Sequence, residues 1–105
     1  MRANSENIGD TCVIAWEPSI QTASGRTFRY QSVDVRDVDP IDIAVALSRQ
    51  PRWAGHTREF YSVAQHSVEV AQLIRRWGGT RHEQLHCLLH DAPEAYMCDI
   101  TSPLK

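Results

Sequence analysis

Read for the spacing of its apolar positions, the chain changes character near residue 38. Before that point the apolar residues come in short runs. Cys12-Val13-Ile14-Ala15-Trp16 and Thr27-Phe28-Arg29-Tyr30 are rich in β-branched and aromatic side chains, and Ser24-Gly25-Arg26 between them suits a turn. That pattern predicts a short β-ribbon. A two-stranded ribbon is marginal alone and has to pack on something else. Residues 1–10 are polar and read as a mobile tail.

From residue 39 the spacing becomes helical. Asp39-Pro40-Ile41-Asp42 is a helix start, with a capping aspartate, a proline at the first position and a carboxylate in the first turn. The helix carries Ile43, Ala44, Val45, Ala46 and Leu47 and is nearly all apolar, so it is expected at the centre of the fold. Pro51 ends it. Ser62 with Gln65 starts a second helix, whose broad apolar face holds Val63, His66, Val70, Leu73, Ile74 and Trp77. Gly78-Gly79 stops it, and Thr80 caps a third with Leu85, Leu88, Leu89 and Ala92 as its stripe. Pro93 then opens a fourth short helix. Helices are expected near residues 40–49, 62–77, 81–92 and 93–98, giving a mainly α fold with an N-terminal β-ribbon. The domain reading is 1–38 for tail and ribbon and 39–105 for the helical part.

Composition narrows the class. At 105 residues the chain has the size of one small domain, and 42% hydrophobic with 23% charged residues is a globular balance. A net charge of -2 leaves no electrostatic footprint for nucleic acid. No apolar run is long enough to span a bilayer, and the first residues lack the apolar core of a signal peptide. Three cysteines without a CxxC fit reduced thiols, and so a cytoplasmic protein.

The chemistry concentrates in Leu88-Leu89-His90-Asp91-Ala92-Pro93-Glu94. An imidazole beside a carboxylate after an apolar run is costly to bury without a partner. A divalent metal ion is a good partner, since both groups are natural ligands. His66 on the inward face of the preceding helix is the third donor, so His66, His90 and Asp91 are the expected metal ligands. Three protein ligands leave positions open for water or substrate, the catalytic arrangement. Glu94, one turn past His90, is placed to handle a proton, or else is simply a helix-start carboxylate. His86 is a rival ligand four residues before His90; His82 and His56 are weaker ones. The segment from Arg52 to Tyr61 gathers arginines and aromatics without clean periodicity and reads as a binding loop. Two other classes compete. Cys87 or Cys98 as a nucleophile lacks an elbow or a base, and a non-enzymatic helical module would make His66 and His90 plain core residues.

The runs Arg52-Trp53, Ser62-Val63-Ala64-Gln65-His66-Ser67, Leu88-Leu89-His90-Asp91-Ala92-Pro93-Glu94-Ala95 and Ser102-Pro103-Leu104-Lys105 resemble the HD-domain metal-dependent phosphohydrolases. Within them the chain is most similar to the bacterial and phage branch that includes the small 5′-deoxynucleotidases. The resemblance covers residues 40–105 and implies a partial HD-domain helical bundle. It implies a divalent cofactor (manganese, cobalt, magnesium, zinc or iron) on His66, His90 and Asp91. It implies Glu94 and Arg52 as catalytic residues, and Arg52, Trp53 and Arg58 around a small-molecule nucleotide. A 5′-monophosphate is the first expectation. A nucleoside triphosphate, or a non-catalytic module that has lost the full site, is the alternative. The family's closing metal aspartate lies on a later helix. Asp99 comes too soon to match it, so the domain reads as incomplete at its C-terminus. Apolar surface left uncovered would favour a homo-oligomer.

Overall fold

The computed structural model describes residues 3–6, 13–98 and 101–104. Its described elements are strands β1 (Ala3–Glu6), β2 (Val13–Trp16), β3 (Ser19–Gln21) and β4 (Thr27–Arg29), and helices α1 (Pro40–Arg49), α2 (Val63–Arg76), α3 (Arg81–Leu88) and α4 (Glu94–Met97). The fold is mainly helical, as the spacing predicts. Residues up to Asp42 form one compact unit and residues from Ile43 another.

The first unit corrects the single ribbon. β2 does not pair with β4. It pairs antiparallel with β1, Ala3 opposite Trp16, so part of the expected mobile tail is a strand. β4 pairs with β3, Ser19 opposite Arg29, through a turn at Gly25, whose φ of 88° suits glycine. Among the described side chains of this unit Phe28 is the buried apolar one, and it meets Tyr30 edge-on at 5.3 Å.

The caps follow local chemistry closely. Asp39 Oδ1 accepts from the Ile41 N–H at 2.8 Å, and Ser62 Oγ from the Gln65 N–H at 3.0 Å. Thr80 and Glu83 exchange a reciprocal pair that forms a capping box. Between α2 and α3, the Gly79 N–H reaches the Ile74 carbonyl and the Gly78 N–H reaches the Arg75 carbonyl, a Schellman end. Gly78 supplies the left-handed φ of 82°. A Cβ on Gly79 would lie 2.4 Å from the Ile74 methyl Cγ2, so the second glycine is a steric requirement.

In the second unit the core is small. Val63 is 0% exposed and Leu47 4%. Two expectations from the apolar stripes need correction. Trp77 is 73% exposed and Leu85 52%, so the far end of α2 and the stripe of α3 lie open among the described residues. α1 is not a wholly buried rod either: Ile41 is exposed, and the buried residue of its first turn is the carboxylate Asp42. The third helix also stops early, at Leu88 instead of residue 92. Pro93 disfavours helical geometry at Ala92 and has no N–H to give the Leu89 carbonyl, so the helix does not run on to residue 92. The Ala92 N–H turns back to the Leu89 carbonyl at 3.0 Å.

Candidate metal centre

The early end of α3 builds the site. A helix terminus leaves carbonyls without intrahelical partners. Cys87 O, which at this end takes the His90 N–H in a turn at 3.4 Å, also takes the Nδ1 of His90 at 2.5 Å. A carbonyl can only accept, so Nδ1 is the donor here and Nε2 is the ring atom turned to Asp91. Metal-binding histidines are commonly held in this way, one ring nitrogen on a backbone carbonyl and the other toward the ion. Leaving the helix at this point swings Asp91 back toward α2, where Ser62 and Val63 set the start and His66 follows one turn later.

His66, His90 and Asp91 converge, their ligand atoms all within 4.8 Å of one another. This is the one such group of three among the described residues. Asp91 Oδ2 lies 3.1 Å from His90 Nε2 and 3.5 Å from His66 Nε2. Two ligand atoms each about 2.1 Å from one ion, at tetrahedral or octahedral angles, stand about 3.0–3.4 Å apart. Asp91 Oδ2 is buried, yet no hydrogen bond reaches it in normal geometry. An orphaned buried carboxylate oxygen costs free energy that a cation would offset. The cluster is therefore capable of coordinating a divalent metal ion, and its mixed nitrogen and oxygen donors suit several.

The other expected site residues are placed unevenly. Arg52 Nη1 stands 4.0 Å from Asp91 Oδ2, and its buried Nε has no hydrogen-bond partner. Trp53 is 51% exposed; the Arg52 guanidinium lies over its ring at 4.9 Å. Glu94 is half-buried at the start of α4, and its carbonyl accepts from Gln50 Nε2 at 3.0 Å. Arg58 is exposed, with no hydrogen bond or ion pair among the described residues. His86 and His82 are not in the group of three; they line a groove of about 460 Å³ with Leu85, Leu89, His90 and Pro93. Asp99 lies outside the described residues.

The loop before α2 is strained. Trp53 and Ala54 have φ of 51° and 53°, and Gly55 follows at 84°. Left-handed backbone costs a residue with a Cβ about 1–2 kcal/mol. Pro51 and Ser62 close the loop by a single bridge, and the Arg52 N–H reaches the Tyr61 carbonyl at 2.8 Å. The Tyr61 ring stacks on Trp53 at 5.8 Å, and its hydroxyl donates to Glu69 of α2. That hydrogen bond, and then burial, raise the phenol above its ordinary pKa, so it stays a donor. Tyr61 and Glu69 were not among the expected site residues. The available signal was an aromatic next to a helix cap, with an acid eight positions on, and nothing local links the two.

No protein-family model matches the chain. The chain is similar to the uncharacterized protein YfdR of Escherichia coli (strain K12), 45% identical over 86 residues, which make up 82% of this chain and 46% of that protein. It is also similar to the uncharacterized protein RCAP_rcc00048 of Rhodobacter capsulatus, 37% identical over 95 residues, 87% of this chain and 47% of that protein. The chain spans about half the length of the curated relatives it matches. No helix among the described residues is long and apolar enough to cross a membrane.

Proposed function

We propose that the chain carries the centre of an HD-type metal-dependent phosphohydrolase acting on a nucleotide, first of all a (deoxy)nucleoside 5′-monophosphate. The observation that carries this reading is the convergence of His66, His90 and Asp91 with the Arg52 guanidinium beside them. His66, His90 and Asp91 would hold a divalent ion, which would supply an activated water and polarisation of a phosphoryl oxygen. Manganese, cobalt, magnesium, zinc and iron all suit the donors.

The chain's own residues do the rest. His90 presents Nε2 because Cys87 holds its other nitrogen. Arg52 offers a planar fork to the phosphoryl oxygens and neutralises charge as it builds. Glu94 takes the proton from the attacking water or delivers one to the leaving oxygen. Trp53 packs on the nucleoside, and Arg58 adds a second positive contact. The protein works in the cytoplasm as a homo-oligomer, with no role for nucleic acid or membrane.

The test is phosphate release from nucleoside mono-, di- and triphosphates by the chain loaded with each metal in turn. Monophosphates are the expected substrates. Glu94→Gln is expected to retain metal and nucleotide and to lose turnover by about 100-fold or more. A variant as fast as the parent removes Glu94 from its role. A parent that takes up no metal by elemental analysis removes the reading as a whole.

A further inference from the structure

Arg52 poses a physical question. Its guanidinium stands 4.0 Å from a buried aspartate oxygen that has no hydrogen bond, and its own buried Nε lacks one too. Arginine and carboxylate so placed ordinarily close to a direct charge-assisted hydrogen bond, at about 2.8 Å. Something holds this pair open. Asp91 itself is also ringed by His66 and His90, which offer no anchor to the guanidinium.

The restraint visible in the structure lies on the loop side. The guanidinium rests on the face of Trp53. Trp53 sits in left-handed backbone and stacks on Tyr61 at an interplanar angle of 20°. The Tyr61 hydroxyl is tied to Glu69, and Glu69 Oε1 is met by Gln65 Nε2 at 3.4 Å, both on α2. The Tyr61 carbonyl takes the Arg52 N–H. Tyr61 thus touches the loop at two points, ring on Trp53 and carbonyl on Arg52, and by its hydroxyl it touches the helix that carries His66.

We infer that Tyr61 and Glu69 are positioning residues: a Glu69–Tyr61–Trp53 strut holds Arg52 off Asp91, keeping the carboxylate open to a cation and the arginine fork open to an anion. The inference rests on the metal reading of the site. It makes the strained loop a spacer set against α2, and it gives each member a graded contribution.

The experiment is manganese affinity of the 105-residue chain by calorimetry, with helix content followed by circular dichroism. Tyr61→Ala removes the strut, lets Arg52 fall onto Asp91, and is expected to weaken manganese by about tenfold. Tyr61→Phe, which keeps the ring and loses the tie to Glu69, is expected to weaken it by about threefold. Glu69→Gln, which can still accept from the hydroxyl, is expected to bind like the parent. The decisive arm is the double variant Tyr61→Ala with Arg52→Ala. With the arginine gone nothing can occupy Asp91, so affinity is expected to return to that of Arg52→Ala alone. A double variant as weak as Tyr61→Ala would overturn the inference, because it would make Tyr61 a general support of the fold. So would an unchanged affinity in Tyr61→Ala. Acrylamide quenching of Trp53, taken as the difference from Trp53→Phe, reads the strut without any metal. It is expected to rise in Tyr61→Ala, and no rise overturns the strut. A parent that binds no manganese while this quenching rises would refute the metal reading and leave the strut standing.

Discussion

Asp42 and Asp91 are both aspartates withdrawn from water, and their surroundings differ in kind. Asp42 is 3% exposed, and both its oxygens are met by neutral donors. The Ser24 N–H donates to Oδ1 and the Ser24 hydroxyl to Oδ2, each at 2.8 Å. Asp91 has a side chain 14% exposed, with three nitrogen groups within 4.0 Å of one oxygen and no proper hydrogen bond to it. A carboxylate filled by neutral donors ties two segments of backbone together. One surrounded by imidazoles and left unfilled suits a cation. Burial alone does not separate the two cases; the inventory of donors does.

The largest expected effect breaks the comparison at Asp91. Asp91→Asn is expected to abolish stoichiometric metal uptake. The parent should gain about 2.7 kcal/mol of stability at a free-metal concentration 100 times Kd, and the variant should gain none. Urea melts with and without metal read this directly. A variant stabilised as much as the parent would show that Asp91 is no ligand. Asp42 is expected to behave in the opposite way. Asp42→Asn should lower Tm by a few degrees while leaving metal affinity untouched, since its bonds lie within the first unit.

The pH dependence sharpens the contrast. Burial pushes the Asp42 carboxyl up, but the bonds from Ser24 and Thr22, with Arg26 nearby, outweigh it and leave its pKa below the ordinary carboxylate value. A lowered folded pKa gives stability that is complete above the unfolded value, about 4, and is lost as pH falls through the folded one. The stability gap between parent and Asp42→Asn is therefore expected to narrow below about pH 4. Melts at a series of acid pH values check it, and a gap that widens in acid would mean the sign is wrong. The smallest effect is expected from Ser24→Ala. It removes the Ser24 hydroxyl and leaves the backbone N–H, so its fall in Tm should be in the same direction and less than that of Asp42→Asn.

The starts of the helices and a cluster able to hold a metal were legible along the chain. Asp39, Ser62, Thr80 and the Gly78-Gly79 stop act on backbone groups within a few residues, so their chemistry is local and can be read without a fold. His66, His90 and Asp91 were legible because an adjacent histidine and aspartate after apolar residues has few inexpensive fates. Strand partners were not legible. β2 pairs with β1 and β4 with β3, and a run of β-branched residues carries no label for its partner. The end of α3 at Leu88 was not legible either: Pro93 marks a stop at Ala92, and the turn in which the His90 ring meets the Cys87 carbonyl comes earlier.

Sequence by itself determined which residues could bind metal, where the helices begin, and that the fold is mainly helical. Tertiary structure alone decided which oxygens are filled and which are left open. Asp42 meets Ser24 across 18 positions and Gln50 meets Glu94 across 44. Tyr61 came to stand between Trp53 and Glu69 in the same way. Such contacts depend on where the chain returns in space, and their energies come from the polar groups they satisfy on arrival, which no local pattern of residues encodes.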